Sequence, residues 1–244
     1  MQFIHPKLDS WLDSLSANST SPLADLVLDR DGVINQQNFY YISSIDRFQY
    51  EHGSLAALAE LIRCGFCVSI ASNQSGIAKG VFSYDTVKAM HTKLEDDLGS
   101  HFLNGKKHFS ARRESQTARP STTSRKPIAH FAVCPHQESD GCLCRKPKTD
   151  LFRQIEIKLQ RKLTGAPFIG DSVRDLLAAV RYSLLPVLVL TGNGQNSYQT
   201  LFKQKNSKLE GVDNVNELCS QVSVFSSLAH FASYSARRLG ATLA

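Results

Sequence analysis

Two aspartates two residues apart, Asp29 and Asp31, directly follow a short apolar run and precede Gly32. In an extended chain residues i and i+2 lie on the same side, so both carboxylates can face one site. Carboxylates held this close repel each other unless a cation or a shared proton lies between them. The pair therefore predicts a metal ion and a reaction on a group that the metal can hold. The alternative is a polar turn after a strand.

A second acidic pair, Asp171 and Asp175, follows the apolar residues 167–169. Asp171 ends a predicted strand, and Asp175 lies one helical turn later. We expect Asp171 to complete a Mg²⁺ site with Asp29 and the backbone carbonyl of Asp31, because Mg²⁺ prefers oxygen and needs few protein ligands. Asp171 could also cap the helix that follows it.

Three cysteines and a histidine form two close pairs separated by a five-residue hairpin. This spacing is typical of a structural zinc site, in which the protein supplies all four ligands and no coordination position stays open. The predicted Zn²⁺ ligands are Cys134, His136, Cys142 and Cys144. Chance clustering of buried thiols is the alternative.

Two cations, Arg145 and Lys146, follow the last predicted zinc ligand and precede Pro147. A zinc loop would hold both side chains in place, and two fixed cations suit a phosphoryl group during transfer. The alternative is a solvated basic pair.

Two further motifs have weaker signals. The polar block 72–80 follows a predicted strand, where hydroxyl and backbone N–H groups can bind a phosphate; an ordinary loop is the alternative. The pair Cys64 and Cys67 has the spacing of a redox motif, but one cysteine ends a predicted helix and the other begins a strand. We expect these two thiols to be structural.

The elements that must position these residues alternate between strand and helix. Strands are predicted at 23–28, 66–71, 128–133, 167–169 and 186–190, and helices at 53–63, 83–98, 149–163 and 172–182, with Ser83 and Thr149 as caps. Alternation of this kind predicts an α/β fold with a doubly wound, Rossmann-like, mostly parallel sheet covered on both faces. Ligands of such sheets bind at the carboxyl ends of the strands.

We expect one domain at 22–238, an N-terminal extension at 1–21 that either packs on the body or remains mobile, a zinc loop at 134–147 and a basic insertion at 102–126. Residues 100–128 contain seven basic residues and one acidic residue, so their net charge equals the +6 of the whole chain. The remainder is neutral, which argues against a fold-wide nucleic-acid surface. We interpret the insertion as a disordered, solvated segment; binding to an anionic polymer or membrane is the alternative.

The 244 residues contain no apolar run near the ~20 residues that span a bilayer. The N-terminus also lacks the basic start and apolar core of a signal peptide. We therefore expect a soluble, cytoplasmic protein, in which the six cysteines do not form a disulfide framework.

With these blocks in this order, the chain resembles the haloacid dehalogenase-like phosphohydrolases, and within them the zinc-loop phosphatases. The family's four motifs resemble Asp29-x-Asp31-Gly32, Ser72, Lys146 and Gly170-Asp171-x3-Asp175, and the zinc-loop string resembles Cys134-Pro-His136…Cys142-Leu-Cys144-Arg145-Lys146-Pro147. The resemblance implies a Mg²⁺-dependent phosphatase that acts through an aspartyl-phosphate and holds a structural Zn²⁺.

The resemblance also implies residue roles. Asp29 is the expected nucleophile and Asp31 the expected general acid and base. The other expected catalytic residues are Ser72, Arg145 and Lys146, and the expected substrate-binding residues are Tyr41, Asn73, Gln74, Ser75, Arg145, Lys146 and Ser172. Ser172 stands where members of the branch often have lysine, and the loop 37–41 is one residue longer than usual.

The implied substrate is a small-molecule sugar phosphate. The block 72–80 is similar to that of phosphatases that remove the 7-phosphate of heptose 1,7-bisphosphate in lipopolysaccharide precursor synthesis. Histidinol phosphate or another small phosphoester is the alternative, and a nucleic-acid 3′-phosphatase or binding protein is a more distant one. The branch further implies a monomer without a membrane partner.

Overall fold

The computed structural model describes residues 3–16, 24–37, 41–105, 127–203 and 215–240. The strands are β1 Asp25–Leu28, β2 Cys67–Asn73, β3 His130–Cys134, β4 Pro167–Gly170, β5 Leu185–Val189 and β6 Ser223–Phe225. The helices are α1 Pro6–Ser16, α2 Ser54–Arg63, α3 Tyr84–Gly105, α4 Asp150–Leu159, α5 Val173–Arg181, α6 Gly194–Phe202, α7 Val215–Cys219 and α8 Leu228–Arg238. Parts of three predicted segments lie outside the described residues: 106–126 of the insertion, 17–21 of the extension and 38–40 of the loop 37–41.

The described strands form a six-stranded sheet in the order β3-β2-β1-β4-β5-β6. Every neighbouring pair is parallel. The chain adds β2 and β3 on one side of β1 and then β4, β5 and β6 on the other, so the strand order reverses between β1 and β4. The predicted doubly wound α/β fold is confirmed, and its switch point lies beside the end of β1.

The strands are apolar on both sides because helices cover both faces of the sheet. Leu26 and Leu28 of β1 pack into a cluster with α1, α2 and α8. Val27 points to the opposite face, where α4 and α5 form a second cluster. All three side chains are fully buried, and each such burial stabilises the fold by roughly 1.5–3 kcal/mol. This packing fixes the strand ends where the polar motifs lie.

The N-terminal helix α1 packs on the body of the fold through an apolar stripe. Leu8 and Leu12, one helical turn apart, are buried in the first cluster. Trp11 stacks on Phe66, with 5.8 Å between the ring centroids. Polar contacts join α1 to α8: Arg238 donates to Asp13 at 2.6 Å.

Two helices differ from the predicted bounds. Helix α3 continues past 98 to Gly105, so residues 102–105 of the predicted insertion are helical; Phe102 packs against the first cluster and beneath the Arg63 guanidinium. Helix α4 ends at Leu159 instead of 163, because Gln160 takes a left-handed conformation with φ +55°. Thr149 holds the N-cap position of α4, but its side chain makes no capping hydrogen bond.

Ser83 does cap α3, since its hydroxyl accepts from the Thr86 N–H at 3.1 Å. Cys64 and Cys67 are free thiols. Burial raises the pKa of both, which disfavours the reactive thiolate of a redox motif. Among the residues that the structure describes, no helix is long and apolar enough to cross a membrane.

Candidate active site

The polar motifs meet at the carboxyl edge of the sheet. Asp29 directly follows β1, Asn73 ends the neighbouring β2, and Asp171 directly follows β4 on the other side of β1. A cavity of about 370 Å³ opens there. Its lining residues are Asp29, Asp31, Gln37, Tyr41, Ile42, Ser72, Asn73, Gln74, Ser75, Arg145, Lys146, Asp171, Ser172, Arg174 and Asp175. All the predicted catalytic and substrate-binding side chains therefore line one cavity.

Lys146 lies at the floor of this cavity and is 1% exposed. Its ammonium donates to Asp29 Oδ1 at 2.9 Å, to Asp175 Oδ1 at 2.7 Å and to the Ala71 carbonyl at 2.8 Å. Burial alone would lower the pKa of Lys146, but the charges of Asp175 and Asp29 outweigh burial and raise it. The lysine is thus a fully satisfied cation that connects the end of β1, strand β2 and the first turn of α5.

Three carboxylates, from Asp29, Asp171 and Asp175, offer oxygens that lie within 4.8 Å of one another. Burial raises the pKa of Asp29 and of Asp171, and the negative charge of Asp175 raises both further. Lys146 supplies one positive charge against these three carboxylates. The donor set therefore suits a divalent cation with oxygen ligands, such as Mg²⁺.

Two glycines make room for the Asp171 carboxylate. A Cβ on Gly32 would lie 2.0 Å from Asp171 Oδ2, and a Cβ on Gly192 would lie 2.3 Å from it. The same oxygen accepts from the Asn193 N–H at 2.7 Å. Both glycines have positive φ, +82° and +54°, so the turns after β1 and β5 enclose this carboxylate.

Asp31 is held by a buried arginine. The Arg30 guanidinium donates to Asp31 Oδ1 at 2.9 Å and to Oδ2 at 3.1 Å, while Asn35 and Gln74 donate at 2.8 and 2.7 Å. Burial would raise the pKa of Asp31, but the charge of Arg30 and the hydrogen bonds from Asn35 and Gln74 outweigh it and lower that pKa. The Asp31 carboxylate is therefore fixed in orientation.

The block after β2 orders the site through side-chain amides. Gln74 bridges Asp31 and the Ser72 hydroxyl, which accepts at 2.8 Å. Asn73 binds the backbone of Lys146 twice: its amide donates to the carbonyl at 3.1 Å, and its oxygen accepts from the N–H at 3.0 Å. Asn73 thus anchors the zinc loop to the sheet.

Ser172, and not Asp171, is the N-cap of α5. The Ser172 hydroxyl and N–H both donate to Asp175 Oδ2, at 2.5 and 3.1 Å, and the Asp175 N–H donates back to the hydroxyl. Because the other oxygen of Asp175 binds Lys146, this carboxylate joins the cap of α5 to the floor of the cavity.

The four predicted zinc ligands converge in one loop. The sulfur–sulfur distances from Cys142 are 3.7 Å to Cys134 and 3.6 Å to Cys144, and His136 Nδ1 lies 3.3 Å from Cys144 Sγ and 3.7 Å from Cys134 Sγ. Tetrahedral Zn–S bonds of 2.3 Å place sulfurs about 3.8 Å apart. The spacing therefore fits a four-coordinate zinc with no open position.

At the mouth of the cavity, the Tyr41 hydroxyl lies 3.3 Å from the Ser75 hydroxyl, and the Lys79 ammonium lies 5.4 Å from the centre of the Tyr41 ring. A hydrogen bond from Lys79 lowers the pKa of Tyr41. The Arg145 guanidinium donates to the His136 carbonyl at 3.4 Å, and this is the one hydrogen bond of that side chain within the described residues.

Sequence reasoning did not assign several residues that the structure brings to the site. Arg30 could have been found as the cation between two aspartates, whereas Asp175 was found as the acid one turn after Asp171 but received no role. Arg174 lies in the first turn of α5, two residues after Ser172. Its place in the sequence gave no indication that it lines the cavity. Asn35 lies in a turn whose shape the sequence does not reveal.

The chain is similar to known proteins in sequence. A family profile described as HAD-hydrolase-like matches residues 143–218. The chain is 36% identical to the D-glycero-β-D-manno-heptose-1,7-bisphosphate 7-phosphatase of Pseudomonas putida over 71% of this chain and 86% of the relative. It is 37% identical to the enzyme of the same name from Pseudomonas aeruginosa over 69% and 82%, respectively.

A solved structure is similar as well. The D,D-heptose 1,7-bisphosphate phosphatase of B. bronchiseptica, complexed with magnesium and phosphate, superposes with a TM-score of 0.68 at 30% identity. The match covers 88% of this chain and 99% of that one.

Proposed function

Because the chain belongs to the haloacid dehalogenase-like phosphatases, we propose that it hydrolyses the 7-phosphate of D-glycero-β-D-manno-heptose 1,7-bisphosphate. It is a phosphoric monoester hydrolase. The observation that carries the proposal is the cavity in which Asp29, Asp31 and the buried Lys146 face one another. Relatives that are 36–37% identical to this chain over most of their own length bear the name of that activity.

Asp29 is the proposed nucleophile. Its Oδ1 accepts from Lys146 at 2.9 Å and from the Arg30 N–H at 2.7 Å. Its Oδ2 has no hydrogen-bond partner among the described residues. Oδ1 is therefore held in place, and Oδ2 is left to bond to phosphorus or to the metal. In the first half-reaction a carboxylate oxygen of Asp29 bonds to phosphorus as the phosphorus–sugar oxygen bond breaks.

Asp31 is the proposed general acid and base. It gives a proton to the departing sugar oxygen and then takes one from the water that hydrolyses the aspartyl-phosphate, which releases phosphate and restores Asp29. Arg30 favours the carboxylate form of Asp31 in the free protein. A substrate phosphate dianion opposes that form, so binding of the substrate raises the pKa of Asp31 before the first transfer.

A bound Mg²⁺ would neutralise charge between the carboxylates and the phosphate, which otherwise repel. We propose Asp29, Asp171 and the backbone carbonyl of Asp31 as its ligands. Asp175 is assigned a different role, because both of its oxygens already bind Lys146 and Ser172. It orients the lysine towards the transferring group.

The proposed zinc takes no part in the reaction. Cys144 is followed directly by Arg145 and Lys146, so a metal that fixes the loop fixes where these two cations lie. Asn73 holds the same loop from the other side through the Lys146 backbone. Ser72 and Lys146 then contact the transferring phosphoryl group.

Phosphate release in the presence of Mg²⁺ tests the proposal. The substrates are both anomers of heptose 1,7-bisphosphate, fructose 1,6-bisphosphate, histidinol phosphate and a 3′-phosphorylated oligonucleotide. We expect kcat/KM for the β-heptose bisphosphate to exceed the others by about ten-fold or more, which corresponds to about 1.4 kcal/mol. Preference for histidinol phosphate or the oligonucleotide would overturn the substrate but not the chemistry.

Asp29→Asn tests the nucleophile. The variant loses the attacking carboxylate, so turnover should fall to background while the fold is retained. Asp85→Asn is the matched control, because the Asp85 side chain is 87% exposed on α3. Near-normal turnover by Asp29→Asn would contradict the mechanism.

A further inference from the structure

The cations that line the cavity differ in how far the protein already neutralises them. Lys146 is surrounded by two carboxylates and a carbonyl. The Arg145 guanidinium makes one hydrogen bond, to a backbone carbonyl, within the described residues. The Arg174 side chain makes no hydrogen bond or ion pair with any residue that the structure describes. Two positive charges are therefore available to an anionic ligand.

The position of Arg174 is not explained by helix stability. It lies in the first turn of α5, where the helix dipole disfavours a positive charge. Its neighbours in sequence serve the cap: Ser172 and Asp175 bind each other at the helix start. Arg174 is exposed and lines the same cavity as Asp29 and Lys146.

The carboxylates of the site do not need these two arginines. Asp31 is paired with the buried Arg30, and Lys146 contacts both Asp29 and Asp175. The remaining negative charge lies where the oxygens of Asp29 and Asp171 approach each other, which suits a divalent cation. The positive charges of Arg145 and Arg174 thus have no carboxylate partner among the described residues of the site until a substrate with two phosphate groups enters.

We propose that Arg174 is a specificity-determining residue that, together with Arg145, binds the phosphate group that is not transferred. The inference rests on the proposed function and deepens it, because it makes a second phosphate on the substrate a requirement for full activity. An arginine suits this role since its planar guanidinium can donate two parallel hydrogen bonds to a phosphate.

The test compares a bisphosphate with its monophosphate. Wild type, Arg174→Gln and Arg174→Lys are assayed with heptose 1,7-bisphosphate and with heptose 7-phosphate. We expect Arg174→Gln to lower kcat/KM for the bisphosphate by about ten-fold or more, mainly through KM, because it removes a charge-assisted contact. Activity on the monophosphate should change less than about two-fold, and Arg174→Lys should recover part of the loss.

Arg153→Gln is the matched control, since Arg153 lies in the first turn of α4 and its side chain is 70% exposed. It should leave both substrates unaffected. An equal loss on both substrates, or no loss on the bisphosphate, would overturn the role of Arg174. Wild-type protein without activity on the bisphosphate would instead overturn the proposed function, so the two failures are distinguishable.

Discussion

At the scale of single residues, the site depends on Lys146, a buried cation that is fully paired. Each of its ammonium hydrogens has an acceptor, and each acceptor belongs to a different element: the end of β1, strand β2 and the first turn of α5. A buried charge is tolerated only when it is paired in this way. The arrangement is therefore preorganised before any substrate binds.

Gly32→Ala should weaken magnesium binding. The new methyl group would meet the Asp171 carboxylate at 2.0 Å, so that carboxylate must move. We expect the Mg²⁺ concentration for half-maximal activity to rise by about ten-fold or more. A Mg²⁺ titration of phosphate release measures it.

Gly80→Ala is the control for Gly32→Ala. Gly80 also has a positive φ, +66°, but a Cβ there would meet nothing within 4 Å. Both variants incur a backbone cost of about 1–2 kcal/mol, whereas only Gly32→Ala crowds Asp171. If the two variants showed the same Mg²⁺ dependence, crowding would not be the cause.

Sequence reasoning is most direct for the residues that follow strand ends, such as Asp29 and Asp171. Parallel strands bring these positions to one edge whatever the loops do. The contacts of Arg30 and Asn35 with Asp31 could not be predicted, because they depend on the turn at 30–35. The catalytic roles assigned to Asp29 and Asp31 remain proposals.

At the scale of elements, the zinc loop shows when the spacing of residues in the sequence is sufficient to predict a cluster in the structure. Its four predicted ligands lie within eleven residues, Cys134–Cys144, so the loop could close on a metal without help from distant segments. The pairing of Asn73 with Lys146, 73 residues apart, required the fold. The end of α4 could not be predicted from the sequence either, since it depends on Gln160 in a left-handed conformation.

Cys142→Ser should remove the zinc and most of the activity together. Loss of one ligand opens the site, and the two cations after Cys144 then lose their fixed position; a displacement of about 1 Å can cost about 100-fold in rate. Metal analysis should give about one zinc per chain in wild type and little in the variant. Kinetics on the same samples gives kcat.

The control is Cys219→Ser, because Cys219 belongs to α7 and not to the zinc cluster. It should keep both zinc and activity. A Cys142→Ser protein that lacked zinc but turned over normally would show that the loop orders itself without metal.

At the scale of the whole molecule, stability should depend on pH through His91. This side chain is 8% exposed and stacks on Phe131 with 4.1 Å between centroids. Its Nε2 is buried and has no hydrogen-bond partner in the part of the chain that the structure describes. Burial and, to a smaller extent, the charge of nearby Arg30 lower the pKa of His91 to about 3, although the charge of Asp31 acts in the opposite direction.

Between pH 3 and the ordinary histidine pKa of about 6.5, the unfolded chain therefore binds a proton that the folded chain excludes. Acid then favours unfolding, so this contribution is complete above about pH 6.5 and is lost as the pH falls. From pH 7.5 to pH 5, wild type should lose about 2 kcal/mol more unfolding free energy than His91→Phe. Urea titrations at both pH values measure the difference, and equal losses would contradict it.

Alternation of strands and helices was enough to predict the doubly wound sheet. It was not enough for β6, whose three residues Ser223–Phe225 are too few to show a pattern. Nor does periodicity reveal that α1 packs against α8, more than 200 residues away. Such contacts between the two ends of the chain depend on the completed sheet.

The stacking of Trp11 on Phe66 has a practical consequence. Trp11 is the one tryptophan of the chain, and it belongs to the helix that joins the N-terminal segment to α2, β2 and α8. Intrinsic fluorescence excited at the indole band therefore reports on the attachment of α1, without any introduced label. Circular dichroism averages over all the helices, so comparing the two signals during denaturation separates detachment of this helix from collapse of the sheet.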